Sequence, residues 1–245
     1  FRKVRRQVCK RLRHGLRELG LENLAQYRSR LDADPAEWAA LDDLCHITIS
    51  RLYRDRHVFD CLGMQVLPEL GKMASLESRP VRCWCAGCAS GEEVYTLRIL
   101  WDLEIRPSLP DTRFELIGTD VEDIVLERAR RGCFSAGSFK DAPAQWREAA
   151  FNRVGNIYCV KDAHREALTF LHQDIRFEIP QGPFDLILCR NLVFTYFEPE
   201  LQLTMLDRMA SVLREGGYLV IGAHERLPKD GSRFEPLPGC REILR

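Results

Sequence analysis

The residues with chemical potential in this chain sit in short polar segments that interrupt apolar runs. The first is Trp84-Cys85-Ala86-Gly87-Cys88-Ala89-Ser90-Gly91-Glu92-Glu93. Gly87 and Gly91 let a backbone loop approach a ligand with no Cβ in the way. Their spacing is G-x-x-x-G, not the G-x-G-x-x-G of a dinucleotide loop. Two carboxylates where a helix should start are wrong for a pyrophosphate and suit a ligand with a cationic group. The plainer alternative is that Glu92 and Glu93 only complement the helix dipole. In Ile117-Gly118-Thr119-Asp120 an acid ends a second apolar run, placed to accept hydrogen bonds from both hydroxyls of a ribose or to cap the next helix. In Leu171-His172-Gln173-Asp174-Ile175, Asp174 either reaches an adenine amino group or serves a turn. Leu186-Ile187-Leu188-Cys189 runs straight into Arg190-Asn191. A charge so close to a buried run needs a partner, and Tyr196 follows on a loop.

Ten cysteines are scattered along the chain. Cys83-x-Cys85-x-x-Cys88 raises the question of a metal, but structural zinc takes four ligands and no second pair follows at finger spacing. These cysteines read as packing residues of a strand and its loop. A redox pair at Cys85 and Cys88 is the other option, but the helix start that it needs already holds two acids. The rest read as small apolar thiols, reduced and cytoplasmic. The six histidines, at 14, 46, 57, 164, 172 and 224, show no ligand spacing, and no metal is expected.

The elements that position these segments follow from periodicity. Val4, Val8, Leu12, Leu16 and Leu19 form one helical stripe, ended by Gly20. Eight basic residues and no acid occupy the first 17 positions. A second short helix spans Leu24 to Leu31, and a third follows Asp34-Pro35. The expected domains are 1–75, helices and a connector helical over Arg56 to Leu70, and 76–245, an α/β sheet. Strands are expected at Val81–Ala86, Phe114–Thr119, Leu168–His172, Phe184–Arg190 and Tyr218–Ala223, the last after a turn at Glu215-Gly216-Gly217. Helices are expected at Glu92–Leu103, Glu122–Arg131 and Pro199–Arg214. Such alternation means a parallel sheet with helices on both faces. The segments Arg233–Leu237 and Glu242–Leu244 close it as an antiparallel hairpin. Residues 132–165 break the alternation as a small insertion.

Composition sets the outer bounds. The chain has 245 residues, 36 basic and 36 acidic, with 45% apolar residues. That excludes a disordered chain and a globally basic nucleic-acid coat. No apolar run approaches the roughly 20 residues of a membrane span. The start, Phe1-Arg2-Lys3-Val4-Arg5-Arg6, lacks the apolar core of a signal peptide, and without an initiator Met the chain reads as a trimmed or processed piece.

Taken together behind a helical N-terminal domain, these segments resemble the chemotaxis-receptor methyltransferase (CheR-type) family. The resembling pieces are Ala86 to Glu93, Gly118-Thr119-Asp120, Leu126 to Gly132, Phe184 to Asn191 and Gly222-Ala223-His224-Glu225. The resemblance implies a Rossmann-like, seven-stranded class I methyltransferase sheet. It also implies S-adenosylmethionine as cofactor, S-adenosylhomocysteine as product, and esterification of protein glutamate side chains. Thr48, Ser50 and Arg54 would line the methionine end of the cofactor. Glu93 would face its ammonium group, with Gly87 in the loop beside it. Asp120 would hold the ribose, and Asp174 and Ile175 would border the adenine. Arg190 and Asn191 would close the floor. Arg54 and Tyr196 would order the acceptor carboxylate.

The chain departs from the family pattern in places. Thr48 and Ser50 stand where Asn and Thr are usual, and Leu52-Tyr53 where Phe-Phe is usual. Tyr196 falls one residue later after C-R-N than the family tyrosine, and Arg226 replaces a frequent Asn. The implied partner is an acidic protein, such as a receptor helix bundle, docked on the basic N-terminal helix. That helix is otherwise a solvated face. A nucleic-acid substrate is not expected, because the chain has Arg190-Asn191-Leu192 in place of an N/D-P-P-Y/F motif and no Pro-Cys pair. A small-molecule carboxyl methyltransferase and a cofactor-binding sensor without transfer stay open as alternatives.

Overall fold

The structure, a computed structural model, describes residues 5–34, 37, 41, 50–228 and 233–245. The chain divides into two compact units, 1–49 and 50–245. In the first, α1 (Arg5–Glu18) and α2 (Leu24–Ala33) bury Leu16 against Tyr27 and Leu31. Gly20, at φ 68°, ends the first helix, a left-handed position that suits glycine. Asn23 caps the second, its side chain accepting the Gln26 N–H at 3.0 Å. Asp34, expected to cap a third helix, closes α2 by donating its N–H to the Arg30 carbonyl at 2.9 Å. The rest of that third helix falls almost wholly outside the described residues.

The second unit opens with α3 (Arg56–Cys61), which widens through a π turn at Leu62–Val66 into α4 (Leu67–Leu76). Next come β1 (Val81–Ala86), α5 (Glu92–Leu100), β2 (Phe114–Asp120) and α6 (Asp123–Arg131). The insertion holds β3 (Cys133–Ser135), α7 (Trp146–Ala150), β4 (Phe151–Val154) and β5 (Ile157–Val160). The chain ends with β6 (Leu168–His172), β7 (Phe184–Cys189), α8 (Val193–Tyr196), α9 (Pro199–Val212), β8 (Leu213–Ile221), β9 (Pro236–Leu237) and β10 (Cys240–Leu244).

The main sheet has seven strands in the order β6-β2-β1-β7-β8-β10-β9. The first five are parallel, and β10 and β9 close the edge as an antiparallel pair. This is the expected α/β fold. Strand periodicity divides its core between two faces. Cys83, Cys85, Leu186, Leu188, Tyr218 and Val220 pack on one side with Phe59, Leu67, Leu97 and Leu126. Trp84, Ala86, Ile187, Cys189, Leu219 and Ile221 pack on the other with Met205, Leu206 and Met209. Every residue of β7 is buried, as a central parallel strand covered on both faces should be.

Three expectations need correction. The connector does not belong with the N-terminal helices. Leu52, Tyr53, Val58, Phe59 and Leu67 are buried in the core of the sheet unit, so the boundary lies at 49/50, not 75/76. The stretch Glu215-Gly216-Gly217 is not a turn before the last parallel strand but lies inside β8. A shift of register between Phe184 and Leu186 of the neighbouring strand accommodates it. Nor are all the cysteines reduced. The insertion folds as a separate three-stranded antiparallel sheet, β3-β5-β4. Its register sets Cys133 opposite Cys159, and the two form a disulfide. Cys9, Cys61, Cys83, Cys85, Cys88, Cys189 and Cys240 are free thiols. The insertion is tied to the sheet unit through His164 Nδ1, 2.8 Å from the buried Asp102, which also pairs with Arg98 at 2.8 Å.

Candidate active site

The five parallel strands bring their carboxyl ends to one edge, where open α/β sheets bind ligands. Gly87, Asp120, Asp174, Arg190 and Glu225 all lie in the loops that leave that edge. The loop after β1 is tightly wound. Gly87 (φ 69°) and Gly91 (φ 86°) are left-handed, and a Cβ at Gly87 would sit 2.7 Å from Leu192 Cδ2. Asp120 holds this loop: one carboxylate oxygen accepts the Ala89 N–H at 2.9 Å and the other the Glu122 N–H at 3.1 Å. It therefore serves the turn that leads into α6, and does not cap that helix, whose N-cap is Glu122. A carboxylate offers about four lone-pair sites, so each oxygen can still accept from a ribose hydroxyl.

At the start of α5 the two acids face different neighbours. Glu92 is buried and accepts a hydrogen bond from Ser50, while its Oε2 has no partner. Burial pushes its carboxyl above the ordinary range. Glu93 takes the Arg190 guanidinium at 2.8 Å, and burial raises its carboxyl too, against the pull of Arg190 and Arg54. Arg190 is 3% exposed, and its other arm donates to Asp55 at 2.7 Å and to the Arg54 carbonyl at 2.9 Å. Its guanidinium lies over the Phe59 ring at 5.1 Å. The partner that Arg190 needs is thus a pair of carboxylates, Glu93 and Asp55, and Arg54 brings a second cation near Glu93.

The Ser50–Asp55 segment is pinned to α5, because the Tyr53 N–H donates to Thr96 Oγ1 at 2.9 Å. Tyr53 (φ 60°) and Asp55 (φ 61°) both occupy the left-handed region on either side of Arg54. Such strain persists only where the surroundings over-determine it, and it clusters at functional sites. Asn191 is also left-handed, at φ 55°. Its N–H donates to Glu225 at 2.8 Å, and Glu225 also takes the Gly222 N–H and the Thr195 hydroxyl, each at 2.6 Å. The loops after β7 and β8 are thereby joined.

The structure brings Arg54, Asp55, Glu93 and Arg190 into one cluster, sets Ser50 on the neighbouring Glu92, and holds the loop that Gly87 opens on Asp120. Asp174 is committed locally: Arg176 grips both its oxygens, and that hydrogen bonding holds the carboxyl below its ordinary value. This is the turn role that the sequence left open beside an adenine contact. Ile175 is buried in the second core face. Tyr196 stands apart at the end of α8, 74% exposed. Thr48 lies outside the described residues. Sequence reasoning assigned no role to Asp55, Glu225 or Gln173. Gln173 follows β6, and its Oε1 is buried with no hydrogen-bond partner, an acceptor for a nucleoside at the same edge. Glu225 was visible only as part of the Gly222–Glu225 piece. Nothing in the periodicity marks Asp55.

Spare acceptors at Asp120 and Gln173 and the carboxylates at the start of α5 fit a nucleoside joined to a cationic amino-acid tail. With the topology, they define a Rossmann-like methyltransferase of class I. The chain belongs to the CheR methyltransferase family: that family's "CheR methyltransferase, SAM binding domain" matches residues 48–243. The cofactor of this domain is S-adenosylmethionine. A probable chemotaxis protein methyltransferase of Rhizobium etli is 33% identical over 228 residues, 90% of this chain and 84% of that protein. A chemotaxis protein methyltransferase of Listeria innocua is 34% identical over 185 residues, 75% of this chain and 67% of that protein. A 104.1 kDa protein of Rhodobacter capsulatus is 32% identical over 240 residues, 98% of this chain but 25% of that protein. No helix among the described residues is long and apolar enough to cross a membrane.

Proposed function

We propose that the chain transfers the methyl group of S-adenosylmethionine to glutamate side chains of a chemoreceptor-like protein in the cytoplasm, leaving S-adenosylhomocysteine. The observation that carries this reading is the Glu93–Arg190–Asp55 cluster at the mouth of the Gly87–Gly91 loop. Its Glu93 carboxylate suits the ammonium of the methionine tail. Gly87 lies in the loop beside that tail, Asp120 takes the ribose hydroxyls, and Asp174 and Ile175 border the adenine, with Gln173 as a further acceptor. Ser50, Arg190 and Asn191 complete the walls. The bound cofactor supplies an electrophilic methyl on a sulfonium.

The acceptor needs no general base, because a glutamate is already ionised near pH 7. The protein's work is to align the carboxylate oxygen with the methyl carbon and exclude water. The planar fork of Arg54 suits a carboxylate, and Tyr196 offers a hydroxyl from the rim. The names of the Rhizobium and Listeria relatives support a chemoreceptor as acceptor. The exposed Lys10, Arg13 and Arg17 of α1 offer charge for an acidic partner.

Incubation with methyl-labelled cofactor and candidate acceptors, followed by alkali, tests this reading. A base-labile ester on a protein supports it. Label on a small acid, or cofactor binding with no transfer, replaces it with one of the two alternatives. Arg54→Ala and Tyr196→Phe should each lower turnover, and unchanged turnover in both removes them from the mechanism. Charge reversal at Arg5, Arg6 and Arg13 should abolish salt-sensitive binding to the acceptor; intact binding leaves the helix purely structural.

A further inference from the structure

A second cluster of chemically capable side chains lies on the sheet unit, where α3 packs against the closing hairpin. His57 and Cys61 are four residues apart on α3 and share one helix face. Cys240 and Glu242 are two apart on β10 and share one strand face, the buried one, with Arg241 between them exposed. The two pairs meet. His57 Nε2 lies 3.3 Å from Glu242 Oε2, and Cys240 Sγ lies 3.6 Å from the same oxygen. The ligand atoms of His57, Cys240 and Glu242 all fall within 4.8 Å of one another. Cys61, buried one helical turn on from His57, lies near Cys240 but outside that 4.8 Å group.

We propose that His57, Cys61, Cys240 and Glu242 form a tetrahedral Zn²⁺ site. Zinc binds thiolate sulfur at about 2.3 Å and imidazole nitrogen or carboxylate oxygen at about 2.0–2.2 Å. Two ligands on such a tetrahedron are therefore about 3.3–3.8 Å apart. The two separations given above already have that value, so His57, Cys240 and Glu242 need only modest movement to close on an ion, and Cys61 must swing in as the fourth ligand. The donor set is also selective. Two sulfurs and one imidazole favour zinc over magnesium or calcium, which take oxygen ligands. Cys61, Cys240 and Glu242 are buried, whereas the His57 side chain is 55% exposed, which gives an ion a way in. On binding, Cys61 and Cys240 each release a proton to solvent and coordinate as thiolates, His57 gives the lone pair of Nε2, and Glu242 gives one oxygen. Two thiolates and a carboxylate around a dication leave one excess negative charge, and the Arg241 guanidinium, 3.3 Å from Glu242 Oε1, sits beside it.

The role follows from position. α3 begins immediately after Asp55, one of the two carboxylates that hold Arg190. An ion clipping this helix to the last strand would brace the methyltransferase site from behind, while taking no part in its chemistry. Without an ion, the same residues amount to a His57–Glu242 contact and two thiols.

The test uses the whole chain under reducing conditions. Zn²⁺ titration should show one tightly held ion per chain and a concentration-dependent rise in Tm. Co²⁺ put in its place should give tetrahedral visible bands with a thiolate charge-transfer band in the near ultraviolet. Cys240→Ser should abolish that charge-transfer band. His57→Ala, a change at an exposed position that leaves the core intact, should weaken binding by more than about tenfold. Binding by Cys240→Ser equal to that of the parent chain, Co²⁺ bands with no thiolate character, or a Cys61–Cys240 disulfide recovered from the purified protein would each overturn the proposal.

Discussion

Replacing Arg190 with methionine removes the cation that holds the site together while keeping much of its bulk. Arg190 is 3% exposed and meets Glu93 at 2.8 Å and Asp55 at 2.7 Å. With charge centres about 4 Å apart, each contact carries a gross attraction of about 4 kcal/mol in a protein-like medium. Most of that is offset by desolvation in the intact pair. Stripping out Arg190 leaves Glu93, 15% exposed, and Asp55, 27% exposed, with Arg54 as the remaining cation near Glu93; breaking a buried pair typically costs about 3–5 kcal/mol, which is the upper bound here. For a unit of this size that bound is a fall in Tm of roughly 6–20 °C.

The pH dependence carries a definite sign. Burial already lifts the Glu93 carboxyl above its ordinary value, and Arg190 is the main influence drawing it back. Without Arg190 the folded state binds a proton at Glu93 more readily, and a neutral Glu93 needs no cation. The penalty should therefore be full near neutral pH and shrink as pH falls toward the carboxylate range. Urea unfolding at neutral and mildly acid pH measures both effects. A double-mutant cycle with Glu93→Gln should recover part of the loss, since the two residues act as one unit. A loss below about 1 kcal/mol, a penalty that grows in acid, or strict additivity with Glu93→Gln would refute this account of the cluster.

Gly222→Ala places a Cβ 2.8 Å from Glu225 Oε2 and 3.0 Å from Asn191 Oδ1. It should cost about 1–3 kcal/mol of stability and weaken cofactor binding, both readable from melts with and without S-adenosylmethionine. Glu92→Gln keeps the Ser50 contact and removes a buried charge whose carboxyl is raised by desolvation. Such a group weakens the fold as pH climbs from the ordinary carboxylate value through the raised one. The variant should therefore melt higher by roughly 2–4 °C near pH 7, with the gain fading in acid; a lower Tm at neutral pH would count against it.

Local pattern exposed the frame of this protein and left its cross-links hidden. The bounds of β1 and β6 were legible because the strand pattern ends at Gly87 and Gln173, and β7 because it is apolar but for Asp185, although it stops at Cys189, one residue short of the expected end. The wish of Arg190 for a partner was legible from its place beside a buried run. Its partners were not, because Glu93 and Asp55 reach it only once α5 and the Ser50–Asp55 segment are packed together. Asp174 shows the converse: its neighbour two residues on, Arg176, claims the carboxylate that a reading by position offered to adenine. The Cys133–Cys159 pair depends on the register of a strand only three residues long, too short to show alternation. His57, Cys61, Cys240 and Glu242 meet only because the last strand returns to the helix that opens the unit.

The account's central claim is that this site esterifies a carboxylate by positioning alone. The direct test is the pH profile of methyl transfer at saturating cofactor and acceptor. The expected profile is flat from about pH 6 to pH 8, because the acceptor glutamate is fully ionised there and no group must give up a proton. A rate that rises through a titration in that interval would reveal a general base and contradict the claim.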